Sequence, residues 1–190
     1  MGIRRVLSFA LLGAMLSAAV SCQEPAGGAA EDRQLKTWKE ELREQLPLMG
    51  HRNWILVVDK AFPMQTAPGM EYIYVDEPLT KVLEQVMDEV HKETHIKPIV
   101  YNDKELSFIE EADSPGINDY RKHLDGVLKG MNVQTLAHDS VFKQLDDASK
   151  LFKVLVIKTN ETLAYSSVFV ELDCKYWDGE KESKLRKAMP

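Results

Sequence analysis

The chain has 190 residues, 44% hydrophobic and 28% charged, which is the size and balance of one ordinary globular domain. Its 10 glycines and 8 prolines exclude a collagenous or low-complexity chain, and 2 cysteines exclude a disulfide-rich scaffold or a cysteine-based zinc finger. A formal net charge of −6 argues against nucleic acid as a partner, because phosphate binding needs a basic face.

The first residues read as an address. Arg4 and Arg5 precede an uncharged run, Val6 to Val20, that is shorter than the about 20 apolar residues a membrane-spanning helix needs. This is the layout of a bacterial export signal. Ala19-Val20-Ser21-Cys22 resembles a lipoprotein signal box, in which Cys22 becomes the diacylated N-terminus; the plainer reading is a secretory peptide with an incidental cysteine. Two acyl chains anchor stably where one does not. The lipoprotein reading predicts a signal over 1–21 and a lipid-anchored protein of the bacterial cell envelope. Losing Arg4 and Arg5 takes the formal charge from −6 to −8. Residues 22–32 are small and polar, a flexible tether. A folded domain is expected over 33–174 and a charged, peripheral or frayed tail over 175–190.

Within the domain, Leu35, Trp38, Leu42 and Leu46 fall at helical spacing ahead of Pro47 and Gly50. Trp54 to Asp59 is a nearly continuous apolar strand of the kind buried on both faces, and Tyr72 to Val75 is a second strand. Asp76 as cap and Pro78 in the first turn open a helix with the stripe Leu79, Val82, Leu83, Val86, Met87 and Val90. Ile96 to Tyr101 is a strand that Pro98 pushes toward an edge or a strand start. Ser114-Pro115 starts a helix carrying Ile117, Tyr120, Leu124 and Leu128 and stopped by Gly130. A weak strand at Val133–Leu136 precedes a helix over Ser140–Leu151, with Val141, Leu145, Ala148 and Leu151 on one side. Val154–Lys158 and Ser167–Leu172 are strands, and Cys174 reads as a small buried hydrophobe. The alternation predicts an α/β fold in three layers: a mostly parallel sheet with helices on both faces. The last two strands are too close for a helical crossover, so a hairpin or a sheet edge is expected there.

No dinucleotide fingerprint, phosphate loop, His-Glu-x-x-His or Gly-x-Ser-x-Gly occurs. His91-x-x-x-His95 has metal spacing only on a continuous helix, and Thr94 argues that the helix has ended; no metal site is expected. Asn160-Glu161-Thr162 is a glycosylation sequon by chance in an exported bacterial chain. What remains surrounds the first strand: Gly50-His51 before it, Asp59 at its end, then Phe62-Pro63. Ligands of open α/β sheets gather at carboxyl ends of strands, which is where Asp59 stands. His51 lies at the other end of a strand about 20 Å long, so the two serve one ligand only if a loop or another chain intervenes.

Gly50-His51-Arg52-Asn53 followed by the strand Trp54–Val58, Asp59 and Phe62-Pro63 resembles the N-terminal signature of the D-ribose pyranase / L-fucose mutarotase family. Tyr72–Leu83 resembles its next strand, Asp and helix, and Tyr165-Ser166-Ser167-Val168-Phe169 resembles its Tyr-small-Asn-Ile-hydrophobic element. The resemblance spans roughly Leu46 to Leu172. It implies that family's fold and a cofactor-free ring-opening sugar isomerase acting on a free monosaccharide such as ribose or fucose. It implies His51 as the acid/base, Asp59 as its orienter or a hydroxyl ligand, Tyr165 as a sugar contact that helps move the proton, and His138 as the family's second histidine. It also implies a homo-oligomeric ring with sites completed across subunits. Two positions depart from the pattern. Ser167 stands in place of the family's Asn, and Lys60 follows Asp59, where an ion pair between them would weaken the role of Asp59. These departures keep a second reading open, in which the same pocket binds a sugar or small polar ligand without turning it over. A third is a structural lipoprotein that keeps only the fold.

Overall fold

The computed structural model describes residues 36–190, so the signal, the tether and Cys22 lie outside the described residues. Five helices and six strands follow in the order α1 (Trp38–Gln45), β1 (Trp54–Val58), β2 (Met70–Tyr74), α2 (Leu79–Lys92), β3 (Ile96–Asp103), α3 (Ile117–Val127), β4 (Val133–Leu136), α4 (His138–Ala148), β5 (Val154–Lys158), β6 (Val168–Cys174) and α5 (Gly179–Ala188). The strands form one sheet in the order β2-β5-β1-β6-β3-β4. β1–β5, β2–β5 and β3–β4 are parallel, while β6 runs antiparallel to β1 and β3.

Side chains alternate along each strand, so the sheet builds two cores. Ile55, Val57, Val100, Leu155, Ile157, Val168 and Val170 face α1, α2 and α3. Leu56, Val58, Val154, Val156, Phe169 and Tyr101 face Val141 and Leu145 of α4. The three-layer α/β architecture follows from this. The α2 stripe is buried at all six expected positions, Leu79, Val82, Leu83, Val86, Met87 and Val90. Each such side chain contributes roughly 1.5–3 kcal/mol of transfer free energy. At Gly69 a Cβ would fall 2.1 Å from the Phe152 carbonyl oxygen, so only glycine lets the start of β2 pass the turn after α4.

Several expectations need correction. The β5–β6 connection is neither a hairpin nor an edge: β5 and β6 lie on opposite sides of β1, and β6 is central. The hydrogen bonds of an antiparallel β6 are satisfied by β1 and β3, so its short approach from β5 only has to cross the end of one strand. Pro98 is tolerated in the interior strand β3 because pairing with β4 begins only at Val100. Asp76 does not cap α2; Pro78 is the N-cap residue, and Asp76 accepts hydrogen bonds from Tyr74 and Asn160 instead. α4 ends at Ala148, which leaves Leu151 exposed. Cys174 is half-buried at the end of β6. The tail forms α5, where Asp178 accepts from Lys181 N–H at the helix start and no residue is buried.

Candidate functional site

The parallel strands β1, β3 and β5 all end on the same side of the sheet as the beginning of β6. Asp59 directly follows β1, and Asp103 is the last residue of β3. The segment from Thr159 to Ser167 arches over the end of β1. Thr159 N–H and Oγ1 both donate to the Val58 carbonyl, and Lys60 N–H donates to that of Glu161. Glu161 accepts from Thr162 and Leu163 N–H, Ser166 Oγ donates to the Leu163 carbonyl, and the buried Tyr120 hydroxyl donates to the Ser166 carbonyl. Burial pushes the Tyr120 phenol well above its ordinary range, so it stays a donor. The arch is therefore fixed, and it delivers Tyr165 and Ser167 to Asp59.

Ser167 Oγ accepts from Asp59 N–H at 3.1 Å and donates to Asp59 Oδ2 at 2.8 Å. Asp59 Oδ1 accepts from Ala61 N–H at 2.8 Å. The carboxylate is thus aimed by both neighbours. Lys60 takes no part in this: its side chain is exposed and makes no ion pair with Asp59, contrary to the expectation from sequence. The serine hydroxyl and the Ala61 amide hold the carboxylate from within the fold, and the ammonium stays in water.

His138 is the first residue of α4, two residues earlier than the helix start expected from the sequence. The Glu105 carboxylate accepts from its backbone N–H, a capping interaction reached across from the turn after β3. Its Nδ1 lies 2.8 Å from Asp103 Oδ2, its ring packs 4.6 Å from Phe142, and Tyr165 meets it edge-on at 5.1 Å. An ionised carboxylate only accepts, so Nδ1 carries the proton and Nε2 is left free. Asp103 is buried, and its Oδ1 has no hydrogen-bond partner among the described residues. Burial pushes its carboxyl up to about 6, with the bond to His138 opposing and the charges of Glu105 and Asp59 adding to the rise. Asp103 was not singled out from the sequence. Its only signal there was an acid at the end of a strand in an open sheet.

His51 lies at the other end of β1, as the sequence spacing requires. It rides a turn in which Asn53 N–H donates to the Gly50 carbonyl, and its Nδ1 is 3.1 Å from Asp173 Oδ1 near the end of β6. Within one chain, Asp59, Ser167, Tyr165, His138 and Asp103 come together, and His51 does not join them. Among the described residues, two non-glycine residues have positive φ: Tyr165 at 56° and Arg52, next to His51, at 74°. A left-handed residue with a Cβ costs roughly 1–2 kcal/mol, so the fold carries strain at both ends of β1, beside the chemistry-bearing side chains. Helix α2 ends at Lys92, so His91 and His95 do not share a helical face; His95 Nε2 lies 2.9 Å from the Met49 carbonyl oxygen.

A search among curated proteins finds no match. Among solved structures the chain is similar to Bacillus subtilis RbsD complexed with D-ribose, at 17% identity and a TM-score of 0.52, covering 74% of this chain and 97% of that one. It is also similar to FucU from Bifidobacterium longum, at 16% identity and a TM-score of 0.50, covering 70% and 94%. A third likeness is to the fucose mutarotase of Streptococcus pneumoniae in complex with L-fucose, at 17% identity and a TM-score of 0.49, covering 70% and 91%. At these identities the first two likenesses speak for the fold. The sequence model of one family matches residues 35–173, and the chain belongs to that family, the RbsD / FucU transport protein family.

Proposed function

We propose that the protein is a monosaccharide isomerase of the mutarotase or pyranase type, held in a bacterial cell envelope by a lipid on Cys22. It interconverts ring forms or anomers of a free sugar without a cofactor. The observation that carries this reading is the cluster of Asp59, His138 and Tyr165 at the carboxyl ends of β1 and β3, in a chain of this family. Ring opening takes a proton from the anomeric hydroxyl and gives one to the ring oxygen. Positioned side chains do this with a gain of about 10²–10⁴. His51 is the acid/base, since an imidazole near neutral pH serves in either direction. Asp59 holds a sugar hydroxyl, Tyr165 contacts the sugar and relays the proton, and His138 binds through its free Nε2. Because His51 sits a strand length from this cluster, the reading includes a homo-oligomeric ring in which His51 of one copy reaches the cluster of the next. D-Ribose, the sugar in the B. subtilis structure, is the first candidate, with fucose beside it.

Saturation-exchange NMR on the chain from Asp32 onward tests the reading. Faster anomer or ring-form exchange of ribose or fucose is expected, and His51→Ala abolishes it. No acceleration with any common monosaccharide sinks the enzyme. Cys22→Ala is expected to release the protein from membranes, and continued retention counts against the lipid anchor. A second reading, a sugar-binding protein without turnover, is favoured by Ser167. Its one O–H is already spent on Asp59, so it offers a ligand no donor in place of the family's amide. Binding by calorimetry without accelerated exchange is its signature.

A further inference from the structure

We propose that Asp173, braced by Lys97, is the positioning residue that sets the tautomer and direction of the His51 ring. This inference rests on the reading of His51 as the acid/base. Strand β6 grips the His51 turn twice. Arg52 N–H donates to the Leu172 carbonyl at 2.9 Å, and Leu172 N–H donates back to the Asn53 carbonyl at 2.8 Å. These two bonds fix the backbone on either side of the turn while Arg52 is held at a φ of 74°. Gly50 N–H closes the turn on Asn53 Oδ1 at 2.7 Å. The next residue of β6 is Asp173, and its Oδ1 meets His51 Nδ1 at 3.1 Å.

The carboxylate is itself held on both oxygens. Oδ1 also accepts from Cys174 N–H at 2.8 Å, and Oδ2 lies 3.1 Å from Lys97 Nζ on β3. Partial burial works against its ionisation, but the Cys174 amide, Lys97 and His51 together outweigh it and keep the carboxyl below its usual range. An ionised Asp173 only accepts, so neutral His51 carries its proton on Nδ1 and presents the Nε2 lone pair. The His51 side chain is 55% exposed, so Nε2 is open to a sugar brought by another copy. When Nε2 takes the anomeric proton, the imidazolium forms against a fixed negative charge. Charged groups around the ring are Asp173 on β6, Lys97 on β3 and Arg52 in its own turn, whose guanidinium lies over the Phe152 ring.

Nitrogen-15 NMR of the histidine rings in the full chain tests this without reference to turnover. The wild type and Asp173→Glu are expected to show the Nδ1–H tautomer of His51. Asp173→Asn is expected to shift the ring toward a tautomer mixture. Sugar exchange in Asp173→Asn should fall about tenfold in kcat with little change in KM. Asp173→Glu should restore both. An unchanged tautomer in Asp173→Asn overturns the proposal, and so does lost exchange with an unmoved ring, which marks a merely structural role. If His51→Ala keeps full exchange, the acid/base reading fails, while the ring measurements still decide whether Asp173 positions His51.

Discussion

At one end of β1, His51 leans through Nδ1 on Asp173; at the other, His138 leans through Nδ1 on Asp103. The contacts are alike, 3.1 and 2.8 Å between an imidazole nitrogen and a carboxylate oxygen. Their surroundings are opposite. Asp173 is partly buried, but Lys97 and a backbone amide support its charge and hold its carboxyl below the usual range. Asp103 is buried, has one oxygen without a partner among the described residues, and faces the negative charges of Glu105 and Asp59. Burial pushes its carboxyl up to about 6. One carboxylate thus keeps its charge through the neutral range, and the other changes charge close to neutral pH. A histidine that must donate and accept in turn is better served by the first, and one that orients a neutral sugar tolerates the second.

The largest expected effect separates the two dyads by stability. His138→Ala leaves a buried, charged acceptor unpaired and should cost about 2 kcal/mol at pH 7.5 in urea unfolding. Below pH 5 Asp103 takes a proton, and the cost should shrink. His51→Ala leaves an exposed turn and should change stability by less than about 0.5 kcal/mol. Equal costs for the two variants would break the comparison.

Next in size is the pH dependence itself. Asp103 has a folded pKa of about 6, above its ordinary value of 3.8, so the folded chain binds that proton more readily than the unfolded one. Its effect on stability is therefore most favourable below about pH 4 and is lost as pH rises through 6. Asp173 has the opposite sign: its contribution is present above the ordinary carboxylate range and lost as pH falls below it. Asp103→Asn should flatten the stability slope between pH 4 and 6. Asp173→Asn should leave that slope in place, and a slope that survives Asp103→Asn would reassign it to another group.

The sequence made the elements legible because they rest on local pattern. The α2 stripe, the apolar β1 and the Gly50 turn are written within a few residues. The resemblance made His51, Asp59, Tyr165 and His138 legible as candidates. Asp103 and Asp173 were not, because each acquires its meaning from residues more than thirty positions away. Asp103 meets His138 only after β4 pairs beside β3 and α4 starts two residues early. Asp173 meets His51 only because β6 slips between β1 and β3 instead of forming a hairpin with β5. The hairpin expectation and the blindness to Asp173 are one error. Short spacing excludes a helical crossover, but it says nothing about crossing over the end of a single strand.

The smallest expected effect concerns the strain found at both ends of β1. Arg52 and Tyr165 sit in the left-handed region, where a Cβ costs roughly 1–2 kcal/mol. Glycine removes that cost but adds chain freedom to the unfolded state, worth roughly 0.5–1 kcal/mol. Arg52→Gly should therefore move stability by only about 0.5 kcal/mol in the stabilising direction. It should nonetheless loosen the His51 turn, since the side chain that stacks over Phe152 is gone and the turn is left to its bonds with Leu172, Asn53 and Asp173. The expected readout is a near-unchanged melting temperature with a broadened His51 ring signal. Tyr165→Gly should show the same small change in stability and leave the His51 signal sharp, because its strain is held at the other end of the strand. Broadening of His51 in both variants would mean that the two ends are not independent.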